Sequence, residues 1–200
     1  MFEQKREIVL ASGSSIRRQM LEGAGLRFIV DPANIDERAL DIVLASQPLA
    51  GRAKSLAEAK AQAVSYRHMQ ATIVGADQML ELGEIELHQA PNIEAARSAL
   101  QRMRGRSHSL HSGVALAQQG QVVWSHVQSA NLYVRDFSDQ WLDNYMAQAG
   151  NALMTSVGAY QIEGPGVQLF DRIDGDYFTI LGLPLLPLLA QLRQLDIIEG

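Results

Sequence analysis

The chain has 200 residues, 47% of them apolar, a formal charge of −5 and no cysteine. That length and composition suffice for a sizeable core in one domain, or in one domain split into two lobes. An acidic balance argues against a nucleic-acid polymer as partner, since neutralising a phosphate backbone takes a clustered excess of Lys and Arg, and the lack of cysteine excludes disulfides, thiolate nucleophiles and thiolate zinc sites.

The first seven residues, Met1-Phe2-Glu3-Gln4-Lys5-Arg6-Glu7, are too charged for the apolar core of a secretory signal. No apolar run approaches the roughly 20 residues of a membrane span, so no membrane partner and a cytoplasmic location are expected. Residues 8–10 form a short apolar strand that gives way to the turn Ala11-Ser12-Gly13-Ser14-Ser15 and then to a helix through residues 17–22. Residues 28–30 look like a second strand, and residues 32–37 are irregular. Ala-rich residues 55–66, with Lys60 among them, have helical spacing. The run Thr72-Ile73-Val74-Gly75-Ala76-Asp77 reads as a buried strand ending in a carboxylate.

Asn92 is placed to cap a helix over residues 93–103, which Gly105 would stop. Residues 111–116, 121–124 and 130–134 read as strands, the first two joined by the turn-like Gln118-Gln119-Gly120. Ser138 could cap a helix carrying Trp141, Leu142 and Tyr145. Residues 156–182 are Gly-rich with short apolar runs, and Pro184 opens a Leu-rich helix ending near Leu192. Strands and helices alternate, so the class is α/β.

Several groups of residues could carry chemistry. In Ser12-Gly13-Ser14-Ser15-Ile16-Arg17-Arg18, small residues, two hydroxyls and a helix N-terminus suit a phosphate cradle. The same residues also suit an ordinary capped helix with solvent-facing arginines. Asp77 stands where ligand crevices open in α/β sheets, at the carboxyl end of a strand. It could deprotonate water or bind a divalent ion, or simply satisfy loop N–H groups. Gln78 offers both donor and acceptor. Glu37 and Lys60 read as ordinary surface charges on a loop and a helix before they read as residues facing one cleft, and Glu163 lies among glycines that admit a flat ligand or a plain turn. The five histidines, at 68, 88, 108, 111 and 126, include no helical pair at metal-ligand spacing. No Gly-x-Ser-x-Gly elbow is present.

Taken in order, the segments resemble the Maf family of nucleoside triphosphate pyrophosphatases. The resemblance rests on Ala11-Ser12-Gly13-Ser14-Ser15-Ile16-Arg17-Arg18, Asp36-Glu37, Ala57-Glu58-Ala59-Lys60-Ala61, Gly75-Ala76-Asp77, Gly105-Arg106-Ser107-His108 and the tail Gly175-Asp176-Tyr177-Phe178-Thr179-Ile180-Leu181-Gly182-Leu183-Pro184-Leu185. It spans almost the whole chain as one domain. It implies a mixed, twisted central sheet with flanking helices, and two lobes around a substrate cleft. It also implies a triphosphate gripped by Ser12, Ser14 and Arg17, with Glu37 and Lys60 in the cleft and Asp77 as the acid/base residue. Mg²⁺ or Mn²⁺ would sit on Asp77 and Glu37, and a homodimer is an arrangement the family often adopts.

Asp77-Gln78 and Glu163-Gly164 are similar to the branch that hydrolyses 7-methyl-GTP, and differ from the dTTP/UTP branch. A carboxylate accepts the paired N–H donors of a guanine edge, as it does for other base amino groups. Two positions depart from the pattern. Ile16 replaces an aromatic residue or Arg and can supply neither stacking nor a cation–π contact. Gln89 stands where the family has Lys, and the loss of one charge-assisted bond, about 1.5–3 kcal/mol, would weaken triphosphate binding. The alternatives are therefore a dTTP/UTP pyrophosphatase, or a catalytically weakened nucleotide-binding, septum-associated protein.

Overall fold

The computed structural model describes residues 3–200. The strands are β1 (Ile8–Leu10), β2 (Phe28–Val30), β3 (Thr72–Leu82), β4 (Ile85–Leu87), β5 (Ser107–Gln118), β6 (Gln121–Val134) and β7 (Phe170–Asp174). The helices are α1 (Ser15–Gly23), α2 (Glu37–Leu44), α3 (Leu49–Ser65), α4 (Ile93–Met103), α5 (Asp139–Ala149), α6 (Tyr177–Ile180) and α7 (Leu185–Gln194). The sheet order is β2-β1-β3-β5-β6-β7, with β4 beside β3. β1 pairs in parallel with β2 and β3, whereas β3–β4 and β6–β7 are antiparallel. The chain is therefore α/β with a mixed sheet.

Contacts gather the chain into two units. The first takes the residues up to Gln78 with His111–Ser129 and Asp176–Gly200, and the second takes Met79–Leu110 and Ala130–Gly175.

In the first unit, the two-residue period of a strand sorts β1 onto two faces. Ile8 and Leu10 join Leu21, Val74, Val114, Leu116, Leu188 and Leu192 in one core. Val9 faces the other way, with Ile73, Ala115 and the small side chains Ala57, Ala61 and Val64 of α3. β5 returns into β6 through Gln119 and Gly120, both at positive φ (52° and 79°). That conformation matches the twist of a two-residue hairpin.

The second unit is organised by Asn92, whose side chain caps α4, and Ser138, which caps α5. Its interior holds His108, 2% exposed, with its Nε2 2.7 Å from the Tyr160 hydroxyl and its Nδ1 buried without a hydrogen-bond partner. Phe170 packs edge-on to Tyr160, their ring centroids 4.9 Å apart.

Burial lowers the His108 pKa from 6.5 to about 4. The ring is therefore neutral when folded and readily protonated when unfolded, so stability is complete above pH 6.5 and is lost as pH falls toward 4. At about 1.4 kcal/mol per pH unit, urea unfolding at pH 5 is expected to give wild type a stability loss about 2 kcal/mol larger, relative to pH 7, than the His108→Phe variant shows. Equal losses in the two proteins would mean that His108 is not the group responsible.

The structure corrects several sequence expectations. β3 does not end at Asp77 but continues to Leu82, because Met79, Leu80 and Leu82 remain buried. The parallel ladder nonetheless stops early, since β1 pairs only with Thr72, Ile73 and Val74. Asp77 therefore stands just past the end of the shorter neighbour. β6 is one strand of 14 residues rather than two. Its middle residues, Ser125 to Gln128, are all half-buried, which erases the alternation expected of a strand. α3 begins at Leu49, six residues before the expected start. The segment after Asp36 is helical, with Asp36 as its cap accepting from Ala39 N–H at 3.0 Å. Within the Gly-rich region lie β7 and α6.

Candidate active site

β1 stops at Leu10, and Ala11 N–H donates to the Val74 carbonyl at 2.8 Å. The next residues turn into α1, which Ser14 caps by accepting from Arg17 N–H at 3.5 Å. Ser12 Oγ accepts from Ser14 N–H at 3.3 Å and from Arg17 Nη1 at 3.0 Å. Both hydroxyl oxygens thus act as acceptors inside the turn, and each retains its own O–H for an incoming oxygen. Ile16 lies half-buried in the first turn of α1.

The two arginines divide the readings available from sequence. Arg18 is a surface residue paired with Glu22 at 2.7 Å. Arg17 turns inward, where Nε donates to the Gly182 carbonyl at 2.8 Å and Nη1 also donates to the Ala76 carbonyl at 3.1 Å. Burial lowers its pKa against the upward pull of Asp77 and Glu37. At this depth the guanidinium braces the C-terminal segment against the end of the β1–β3 ladder while presenting positive charge to the carboxylates.

Lys60 approaches from α3, and two glycines make this geometry available. A Cβ on Gly75 would lie 2.2 Å from the Ala57 carbonyl and 2.6 Å from Ala61 N. One on Gly113 would lie 2.3 Å from the Ala53 carbonyl. The α3 backbone therefore rests directly on β3 and β5. From there Lys60 Nζ reaches Asp77 Oδ1 at 2.6 Å and Glu37 Oε1 at 3.0 Å. Lys60 and Asp77 are nearly enclosed, whereas the Glu37 side chain, on the first turn of α2, is 52% exposed.

Asp77 has a raised pKa. Desolvation is the largest cause, opposed by the charges of Lys60 and Arg17 and by the Lys60 hydrogen bond, and reinforced by Glu37. A carboxylate held in this balance can exchange a proton closer to neutrality than an exposed one.

Gln78 follows Asp77 and is held firmly. Its Nε2 donates to Ser112 Oγ at 3.0 Å, to the Thr179 carbonyl at 3.2 Å and to the Ile180 carbonyl at 3.0 Å. Ser112, Thr179 and Gly182 are structural neighbours of the site to which the sequence assigns no role, although Thr179 and Gly182 lie in the tail motif, because strand pairing and the closing turn bring them in from far along the chain.

The structure thus gathers Ser12, Ser14, Ile16, Arg17, Glu37, Lys60, Asp77 and Gln78 in the first unit. Gln89 and Glu163 lie in the second. Gln89 is exposed, pairs through its backbone with Val157 and donates its side-chain amide to the Met154 carbonyl. Glu163 is exposed in the turn before Pro165.

Among the described residues no group of three or more His, Asp or Glu forms a ready metal cage. The donor set that exists is two carboxylates, on Asp77 and Glu37. Both already hold the Lys60 ammonium, which a divalent ion would have to share or displace. Two hard oxygen donors completed by phosphate oxygens and water are what Mg²⁺ commonly accepts. The residues therefore fit a divalent ion that arrives with a phosphorylated ligand. Among the described residues, no helix is long and apolar enough to cross a membrane.

Residues 7–195 match the family described as Maf-like protein, and the chain belongs to that family. It is 46% identical over 196 residues to the 7-methyl-GTP pyrophosphatase of Brucella abortus biovar 1 (strain 9-941), covering 97% of this chain and 98% of that protein. It is 47% identical over 195 residues to the 7-methyl-GTP pyrophosphatase of Rhizobium meliloti (strain 1021), covering 96% and 98%. Against the nucleoside triphosphate pyrophosphatase of Maricaulis maris (strain MCS10) the identity is 47% over 191 residues, covering 96% and 97%.

Proposed function

We propose that this protein is a nucleoside triphosphate pyrophosphatase of the cytoplasm that acts on 7-methyl-GTP, releasing the monophosphate and pyrophosphate. The observation that carries the reading is the Asp77–Lys60–Glu37 cluster beside the Ser12–Ser14 turn, with Asp77 and Lys60 nearly enclosed, in a chain that shares nearly half its residues with proteins bearing that name.

Ser12 and Ser14 donate their hydroxyl protons to phosphate oxygens, and the α1 N-terminus adds its dipole. Asp77 Oδ1 is engaged by Lys60, so Oδ2 takes a proton from water. The water oxygen bonds to the α-phosphorus as the bond to the α–β bridging oxygen breaks, and pyrophosphate departs with that electron pair. Asp77 and Glu37 would hold a divalent ion, Mg²⁺ or Mn²⁺, which neutralises phosphate charge when bound. Lys60 keeps Asp77 ionised by lowering a pKa that burial has raised. Gln78 is assigned to the base, where its acceptor matches the N–H edge of a guanine.

The test is pyrophosphate release from 7-methyl-GTP, GTP, dTTP and UTP with Mg²⁺ or Mn²⁺. The highest kcat/KM is expected for 7-methyl-GTP. Preference for dTTP or UTP overturns the substrate, and no release from any nucleotide overturns the activity. A second reading, nucleotide binding without turnover, is favoured only by Gln89, an uncharged residue whose amide is spent on the Met154 carbonyl. Calorimetric binding without hydrolysis would establish it.

The pH dependence has a definite sign. Asp77 must be ionised to accept a proton, and its pKa is raised. The rate is therefore expected to fall, as pH drops, at a midpoint above the ordinary carboxylate value. In Lys60→Gln the largest opposing influence is gone, so the midpoint is expected to move higher still. A midpoint that moves down or stays fixed in the variant would contradict the coupling.

A further inference from the structure

Gln78 is the residue next to Asp77, and its amide can be oriented two ways. Only one of them satisfies its surroundings. The Thr179 and Ile180 carbonyls, 3.2 and 3.0 Å from the terminal atom, can only accept, so that atom is the nitrogen. Ser112 completes the arrangement. Its Oγ donates to the Thr179 carbonyl at 2.7 Å and, its proton thus committed, faces Gln78 Nε2 as an acceptor at 3.0 Å. Two N–H protons are shared among three acceptors, and reversal would set the Gln78 oxygen against two carbonyls and a hydroxyl oxygen.

The frame behind these acceptors is rigid. Ser112 and Thr179 are fully buried. Asp176 Oδ2 accepts from both Thr179 N–H, at 2.8 Å, and the Thr179 hydroxyl, at 3.0 Å. What remains of the Gln78 amide is Oε1. It lies beside Gly182, where a Cβ would come 3.4 Å from Oε1 and 3.5 Å from Arg17 Nη2. The position is at φ +96°, which also disfavours any side chain there.

We infer that Ser112 is a positioning residue for specificity, which with the Thr179 and Ile180 carbonyls locks the Gln78 amide so that it offers the base only an acceptor. A locked acceptor selects a base edge that donates N–H, as a guanine does, and rejects the O4 carbonyl edge of uracil or thymine. A free amide could rotate and serve either. This inference rests on the pyrophosphatase reading above, and it turns Gln78 from an adaptable residue into a one-sided one.

The test uses the full chain with Ser112→Ala and Ser112→Thr, the latter restoring the hydroxyl. In Ser112→Ala, the ratio of kcat/KM for 7-methyl-GTP over UTP is expected to fall about tenfold, mainly through KM for the two nucleotides, and Ser112→Thr is expected to recover it. The side-chain NH₂ signals of Gln78 in ¹⁵N spectra are expected to be separated and slow to exchange in wild type, and to move toward those of a solvated glutamine in Ser112→Ala. An unchanged ratio in Ser112→Ala, or wild-type Gln78 signals already like a solvated amide, overturns the inference. If wild type releases pyrophosphate from no nucleotide, the activity reading fails instead, while the NH₂ signals still decide whether the lock exists.

Discussion

Asp77→Asn is expected to lower pyrophosphate release by about a thousandfold, within the usual range for loss of a positioned proton acceptor. Asn has nearly the same shape but cannot take a proton from water. The fold should persist, because desolvation already disfavours the Asp77 charge and Lys60 keeps Glu37 as a partner at 3.0 Å. Parallel measurements of turnover and melting temperature check both halves. A loss of rate accompanied by unfolding would remove the catalytic interpretation, and an unaltered rate would contradict it outright.

Gly75→Ala is the second large effect, and it acts through backbone. The added methyl would sit 2.2 Å from the Ala57 carbonyl and 2.6 Å from Ala61 N, and neither atom can swing aside as a side chain can. α3 must shift outward. Overpacking of this kind costs about 3 kcal/mol, a drop in melting temperature of roughly 10 °C for a chain of this size. Because Lys60 rides on the same helix, activity should fall even where the variant remains folded. Differential scanning calorimetry with a rate assay at low temperature separates the two. Unchanged melting would mean that the close approach of α3 to β3 does not hold.

The same physics explains what could be read from the sequence. β1, β2, α4 and α5 were legible because each is bounded by local signals: short apolar runs for the strands, and Asn92 and Ser138 as caps for the helices. The sequence leaves α2 unmarked although Asp36 is a good cap, because its apolar residues Ile42 and Val43 face solvent and no buried stripe marks it. Glu37 consequently looked like a loop charge, whereas helix formation fixes its direction toward Lys60.

The far end of β3 is hidden from the sequence for a related reason. Gly75-Ala76-Asp77 looks like a terminus, yet Gly75 is there to admit α3 rather than to end the strand. The order of the motifs was enough to associate Ser12, Arg17, Lys60 and Asp77. Spacing alone could not show that Arg17 spends its donors on Gly182, Ala76 and Ser12, or that Ser112 faces Gln78. Those contacts come from strand pairing and from the closing turn, which no local pattern encodes.

In the proposed reaction, water attacks the α-phosphorus under the control of Asp77. Hydrolysis of 7-methyl-GTP in H₂¹⁸O, followed by mass spectrometry of both products, reads out the position of attack. One ¹⁸O atom is expected in the nucleoside monophosphate and none in the pyrophosphate, with the labelled product failing to form in Asp77→Asn. Label in the pyrophosphate, or release of orthophosphate in its place, would contradict it.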